Sequence, residues 1–502
     1  MSTLHSRATR GAALGALALF VFGTIAHADP ADAGAGGSAS LPVPPAITVL
    51  QSSPRVAPGL IFVAPKNGGA PPPTGGLAPP PPGSTFSGPV GPEIVDNQGR
   101  PVWFYPVPAG QQATDFRVQT YRGERVLTWT QSGTDHIADR SYHLIASVTS
   151  GGDLASDGAD GHEFRLTPEG TALITVYNTV HGDLSSVGGP SSGLITEGAV
   201  EEIDIATGAV LFEWHSLDHV PLSESHVAPP TSSTAAYDYF HINAVNPDVD
   251  GNLIISSRHT WTVYKLDRHT GAIIWRLGGK SSDFELGPGV AFAWQHNPLV
   301  ADGPPGTIRI FDNESNGPSP VLPYSRVIWV RHDDVQKTAT LEREFVHPQK
   351  LQAPSQGNSQ ALDNGDTFVG WGALGRFSEF DPDGNLLFDA TVPVSEGYDD
   401  YRAYRFEWTG APDTDPTVTV EGGDASTPTV HAIWNGATEV ARWDVLGGSS
   451  ASARGLSFVA EADWNGLDTS ISVPTLPTYV QVVARDRYGR EIGRSAVTAS
   501  AP

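Results

Sequence analysis

Two β-type units alternate along most of this chain. A module that recurs at this interval buries its faces only by stacking on its own copies, so the repeat constrains the fold more than any other feature. The first unit is an apolar strand, a turn at Asp and Gly, and a strand ending in an aromatic. It reads GPEIVDNQGRPVWFYPV from Gly91, VEEIDIATGAVLFEW from Val200, VYKLDRHTGAIIWRLGG from Val263 and FSEFDPDGNLLFDA from Phe377. Looser copies are SYHLIASV from Ser141 and the pair RVIWV and LEREFV after Ser325. The second unit is a short strand, a Gly-containing turn and a strand with a polar or aromatic end. It reads DFRVQTYRGERVLTW from Asp115, HEFRLTPEGTALITVYN from His162, HINAVNPDVDGNLIISSR from His241, QHNPLVADGPPGTIRIFDN from Gln295 and NSQALDNGDTFVGWG from Asn358, with GLIFVAP from Gly59 as half of a sixth. No segment sustains a 3.6-residue period, so the chain is all-β. Six alternating pairs of units predict a six-bladed β-propeller over residues 51–410, with a pair of β-sandwiches as the alternative. Beyond Gly410 the runs PTVTVE, TVHAIWNG, EVARWDV, LSFVAEADW and YVQVVARDRYG come with turn signals between them. That spacing predicts an immunoglobulin-like or fibronectin-like β-sandwich over 411–502.

The 502 residues carry a formal charge of −25 and no cysteine. Such a surface repels polyanions and anionic headgroups, which argues against a nucleic-acid or membrane-surface partner. Disulfides, thiolate nucleophiles and Cys-ligated metals are excluded. Arg7 and Arg10 precede an apolar run from Gly11 to Ile25 that ends in Ala26-His27-Ala28. This pattern predicts a cleaved signal peptide at 1–28 and a secreted or periplasmic protein, the alternative being an uncleaved anchor. A flexible Ala/Gly/Pro leader at 29–50 and a stiff polyproline loop from Pro65 to Gly83 follow from composition.

In a propeller, the residue entering the innermost strand and the residue leaving the next lie at the same mouth of the channel. The second unit therefore brings the entry residues His162, His241, His296 and Asn358 together with the exit residues Asn178, Arg258-His259, Asp312-Asn313 and Trp371. One histidine there is ordinarily a satisfied structural residue, whereas three at equivalent repeat positions point to a site. His259 keeps a claim on substrate contact because it adjoins Arg258, while His269 and His332 read as structural. His215, His219, His226 and His347 carry no assigned role. Trp261, Trp294 and Trp371 are candidates to wall an aromatic ligand, and core packing explains them equally well. Asp248, Asp250 and Asn252 in NPDVDGN resemble a calcium loop, but its distal Glu is missing and a β-turn accounts for Asp-Gly. No phosphate-binding loop, dinucleotide fingerprint or nucleophile elbow is present.

The stretch HINAVNPDVDGNLIISSRHTWTVYKLDRHTGAIIWRLGG, followed by FAWQHNP, FDNES, NSQALDNGDTFVGWG and YRAYRFEW, resembles the arylsulfotransferase family of secreted propeller enzymes. GHEFRLTPEGTALIT fits the same pattern, and the likeness runs from about Gly59 to Gly410. The resemblance implies sulfuryl transfer from a phenolic sulfate ester to another phenol through a sulfurylated histidine, with no nucleotide donor, no cofactor and no metal. It implies His296 in WQHNP as the nucleophile, His241 and His162 as further catalytic histidines, Arg258 as the sulfate-binding arginine and Asn243 as an auxiliary amide. His259 and Asn358 complete the expected substrate contacts. A planar guanidinium and imidazole donors suit the three charged oxygens of a sulfuryl group. Two other readings stay open: a metal-dependent lyase or lactonase using three histidines, and a non-catalytic extracellular glycan- or protein-binding propeller.

Overall fold

The computed structural model describes residues 42–68, 86–301, 304–315, 321–421 and 428–500. The expected signal peptide, most of the leader and most of the polyproline loop lie outside them.

The chain is all-β. Hairpin follows hairpin because Gly in the left-handed region closes turn after turn, as at Gly123, Gly170, Gly251 and Gly365. Five antiparallel meanders of four strands form in chain order. The first is Ala113–Tyr121, Glu124–Gln131, Thr134–Ala138 and Leu144–Val148. The others open with Phe164–Leu166, Ile242–Pro247, His296–Val300 and Asn358–Ala361 as their first strands. A sixth four-stranded sheet is assembled from both ends of this region: Tyr404–Phe406 pairs with Leu60–Val63, which pairs with Glu93–Val95 and then Pro101–Phe104. The half-unit GLIFVAP and the aromatic run YRAYRFEW thus complete one sheet between them. Strands escaped the reading of repeats: Thr134–Ala138 follows Gln131 across a two-residue turn too short to separate the two runs, and Thr48–Ser52, which begins in the expected flexible leader, pairs with Leu386–Thr391 instead.

Polar side chains tie the first strands of these sheets into a closed circuit. Asp115 accepts from the Phe164 N–H at 3.4 Å, Arg165 donates to Asn246 at 2.6 Å, and Asn243 donates to the Gln295 carbonyl at 2.7 Å. The Ser359 N–H donates to Asn297 at 3.3 Å, Asn358 to the Ala403 carbonyl at 2.9 Å, and the Tyr404 hydroxyl back to Asp115 at 2.9 Å. At the hub, Arg402 bridges Asp115 and Glu163 at 3.1 Å each, and Arg117 bridges the same two acids at 2.8 and 2.7 Å. Arg165 adds a third guanidinium 3.4 Å from Glu163, so each buried acid faces at least two cations, the condition under which buried carboxylates stay charged. Apolar clusters fill the wedges between neighbouring sheets, for example Ile254, Val263, Trp275, Leu277, Ile308 and Ile328. Inner strands are covered on both faces, so Leu253–Ser257 is buried at every position and shows no alternation.

Residues 417–499 form two further sheets, one of three strands and one of five, around a separate core that includes Val430, Trp443, Val445, Ile471 and Val482. Their strands alternate, as in Asp468–Ser472, with one face buried and the other exposed.

Candidate active site

Of the residues singled out by the repeat, His162, His241, Arg258, His259 and His296 meet at one end of the circuit, beside strained backbone, whereas Asn178 pairs with Glu197 away from them. His241, Trp261, Trp294 and Gln356 all have φ between 53 and 65°. A non-glycine residue in the left-handed region costs about 1–3 kcal/mol, and such strain gathers where a side chain must be aimed. His296 opens its strand, His241 and His162 precede theirs, and Arg258 and His259 leave Leu253–Ser257.

His296 is 1% exposed and both its ring nitrogens are assigned by their partners. Nδ1 faces two acceptors, the Trp294 carbonyl at 3.1 Å and Asn313 Oδ1 at 2.7 Å, so it carries the hydrogen. Nε2 receives the Gln356 peptide N–H at 3.1 Å and therefore carries the lone pair. Burial, with Arg258 beside it, holds His296 well below the usual histidine range.

His241 and His162 are each backed by a carboxylate: Nδ1 meets Asp238 and Asp160, respectively, at 2.5 Å. Their rings lie edge to face with centroids 5.2 Å apart, and Tyr177 is 5.5 Å from both. Burial, then His162 and Arg258, push His241 well below its ordinary value. His259 donates from Nδ1 to the Asp238 carbonyl at 2.6 Å and accepts from Arg258 at 2.9 Å on Nε2; burial and then His241 push it down to about 3. Arg258 also donates to the Pro354 carbonyl at 3.1 Å and lies over Trp294, 5.1 Å from its centroid. Burial lowers this guanidinium to about 10, so it stays charged at neutral pH.

Asn243 stands behind His241. Its amide nitrogen is committed to Gln295, and its buried Oδ1 has no hydrogen-bond partner. Asn358 is engaged with Ala403 in both directions, at 2.9 and 3.1 Å, so its amide braces the circuit and offers no atom to a ligand. Trp261 and Trp294 stand side by side at 5.4 Å, with His226 stacked on Trp261 at 3.6 Å. Trp371 belongs instead to the core: it is fully buried, donates to Ser378 at 3.0 Å and packs on Phe311 and His347. The NPDVDGN turn holds a cation of its own, since Lys265 Nζ sits 2.6 Å from both Asp248 and Asp250. A calcium ion would need that position.

Asp160, Asp238, Tyr401 and Gln356 were not singled out from the sequence. The two acids had a local signal, standing two and three residues before their histidines in DGHEF and YDYFH. Tyr401, with its ring 5.5 Å from His162, and Gln356 had none, because each arrives from another sheet. Asp238, His241 and His259 offer ligand atoms close enough together for a metal ion. Both nitrogens of His259 are nevertheless spoken for, and the Arg258 cation adjoins the cluster. The donor set does not fit a resident metal.

Residues 117–392, more than half of the 502-residue chain, match the model of the arylsulfotransferase (ASST) family. The chain belongs to that family. His162, His241, Arg258 and His296 all fall inside the matched range. No curated protein matches the chain. Among solved structures, a protein of unknown function from Bacteroides caccae is similar at 12% identity, with 69% of this chain and 98% of that one covered and a TM-score of 0.40. A streptogramin B lyase is similar at 11% identity, with 68% and 82% covered and a TM-score of 0.33. A luciferin-regenerating enzyme is similar at 11% identity, with 78% and 95% covered and a TM-score of 0.34.

Proposed function

We propose that this arylsulfotransferase moves a sulfuryl group from a phenolic sulfate ester to a phenol through a sulfurylated His296, without a nucleotide donor. The observation that carries the reading is the state of His296: neutral, buried, with its one lone pair on Nε2 and a guanidinium alongside. Neutral imidazole is nucleophilic, and a guanidinium is the partner a planar sulfate oxygen pair takes up. In the first half-reaction the Nε2 lone pair, released from the Gln356 N–H, bonds to sulfur as the S–O ester bond breaks. The departing phenolate takes a proton from the His162–His241 pair, which the carboxylates Asp160 and Asp238 orient. In the second, an acceptor phenol gives its proton to that pair while its oxygen bonds to sulfur and the S–N bond breaks. Trp261 and Trp294 wall the aryl ring.

The same reading makes the six four-stranded sheets the blades of a six-bladed β-propeller over 51–410 and the last two sheets an immunoglobulin-like sandwich over 411–502. The closed circuit of hydrogen bonds and the separate C-terminal core support that division. Export is proposed from the n-region, apolar run and A-x-A pattern at 1–28, testable by N-terminal sequencing of secreted protein. Among the described residues no helix is long and apolar enough to cross a membrane.

The deciding experiment supplies a chromogenic aryl sulfate with and without a phenol, before and after EDTA treatment, followed by peptide mapping at mildly alkaline pH. The reading expects one burst of phenol from donor alone, EDTA-insensitive turnover with acceptor, and a sulfuryl label between Phe292 and Asp312. A label on another histidine overturns the nucleophile, and loss of turnover with the metal restores the lyase or lactonase reading. No turnover with any aryl sulfate leaves a binding propeller.

A further inference from the structure

The three site histidines differ in what stands behind Nδ1, and the difference falls on one residue. His162 and His241 have carboxylates there, whereas His296 has a carboxamide. Asn313 cannot turn over to offer its NH2 group, because Nδ2 is held by two carbonyls, Ala353 at 3.1 Å and Gln356 at 3.0 Å. Its Oδ1 must therefore face His296, where it accepts from Nδ1–H and forces the lone pair onto Nε2. The residue is fully buried at the end of Thr307–Asp312, and the Ser325 hydroxyl fixes its carbonyl at 2.7 Å.

We propose that Asn313 is the positioning residue of the sulfuryl-accepting histidine: its carboxamide sets the tautomer and aim of His296 and, by being uncharged, spares that ring the carboxylate that stands behind His162 and His241. The inference rests on His296 being the nucleophile. A carboxylate in place of Asn313 would pair with an imidazolium and so favour protonation, and a protonated ring has no lone pair for sulfur. The surroundings add no such charge. Arg258, His162 and His241 face the ring and oppose its protonation; the Asn313 hydrogen bond alone favours it, and without a charge it is outweighed by burial and Arg258. Behind Asn313, Asp312 is matched by Arg326 at 2.9 Å, and burial with Asp312 beside it pushes Glu314 up to about 9, so it is neutral at pH 7. Asp399 pairs with Lys66 and reaches this region only through the Gln356 side chain.

The test measures the rate of the donor-only phenol burst against pH in the full-length protein, for the parent, Asn313→Asp and Ser325→Ala. Ser325→Ala removes the hydroxyl that anchors both the Asn313 carbonyl and the Ala353 N–H, at 2.7 Å each, but puts no charge behind His296 Nδ1. Asn313→Asp should raise the pH at which the burst is half-lost to acid by one unit or more, and slow the burst at pH 7 at least tenfold, with recovery at higher pH. Ser325→Ala should leave that midpoint within a few tenths of a unit. An unmoved midpoint in Asn313→Asp, or an equal movement in Ser325→Ala, overturns the proposal. Should Asn313→Asp fail to fold, histidine 15N shifts of the parent decide: a His296 signal showing hydrogen on Nδ1 at neutral pH supports the assignment, and hydrogen on Nε2 overturns it. A sulfuryl label on a histidine other than His296 in the parent separates failure of the underlying reading from failure of this one.

Discussion

The ring of sheets and the C-terminal sheet pair are built from the same kind of strand yet distribute strain in opposite ways. Among the described residues twelve non-glycine positions have positive φ, and all of them lie between Asp115 and Gln356. In the sheet pair the left-handed positions are glycines alone: Gly436, Gly466 and Gly489. The ring also buries a network of opposed charges and unprotonated histidines, while the pair buries few polar side chains, such as Asp444 and Gln481, around an aliphatic core with Trp443. A region that must aim side chains accepts cost in its backbone, and a region that only covers its neighbour does not. What the pair covers is clear. The N–H groups of Gly436 and Leu467 reach the Val102 and Pro101 carbonyls at 2.9 and 2.7 Å, and Asn435 exchanges two 2.9 Å bonds with Phe104. It therefore closes the open edge of the last-assembled sheet, a strand that would otherwise present unpaired groups to other chains. Tyr142, stacked on Trp103 and bonded to the Gly436 carbonyl, joins the two cores.

The strongest way to break this contrast is His296→Asn. The variant should lose burst and turnover by more than about a thousandfold, roughly 4 kcal/mol of transition-state stabilisation, while its thermal unfolding stays near the parent's. An unfolded variant would make His296 a structural residue and erase the distinction. Arg258→Lys keeps the charge but loses the planar fork, so kcat/KM should fall by roughly 10- to 1000-fold; parental kinetics would remove Arg258 from the site.

Ending the chain at Gly410 should do the reverse. The site residues all precede it, so kcat/KM at 25 °C should stay within about twofold, whereas loss of several interface hydrogen bonds at about 1 kcal/mol each should lower Tm by roughly 5–10 °C and promote association. Inactivity of a folded truncation would make the sheet pair part of the site. Asn435→Ala, which removes two of those bonds, should cost about 1–2 kcal/mol in a denaturant titration and leave kinetics unchanged.

A pH series sharpens the comparison most gently. Burial pushes Asp400 up to about 8 against the opposing Ala64 N–H, and burial with Asp400 nearby raises Glu93 as well. Both acids hold protons in the folded ring that the unfolded chain releases above about pH 4. Their contribution is complete below that value and declines as pH rises to about 8, whereas His241, His259 and His296, held below the ordinary value, add stability as pH rises to about 7; ring stability should therefore fall between about pH 7 and 8. Denaturation followed by ring-specific Trp fluorescence should show it. A stability that climbs from pH 7 to 8 would contradict the burial of these two groups.

How much of this was legible beforehand depended on sequence distance. The second unit's strands and turns are local, and its copies placed His162, His241, His296 and Arg258 at equivalent positions, so their convergence followed from the repeat alone. Asn358 occupies the same repeat position, yet its amide is consumed by Ala403, 45 residues away. Trp371 likewise sits at an exit position and turns into the core, because the packing of Phe311 and Phe380 around it is decided by neighbouring sheets.

The sequence by itself determined the all-β class, the alternation of units and the equivalent repeat positions of His162, His241 and His296, since each rests on spacing within about forty residues, and its motifs carried the resemblance to the family. Only the tertiary structure decided which nitrogen of His296 carries the lone pair, because Asn313 and Gln356 reach it from 17 and 60 residues away. It alone showed that the chain's two ends share one sheet, and that the C-terminal pair seals that sheet's edge. Hydrogen bonds between distant segments leave no periodic trace in composition, and those bonds choose the tautomer, the aim and the cover of this site.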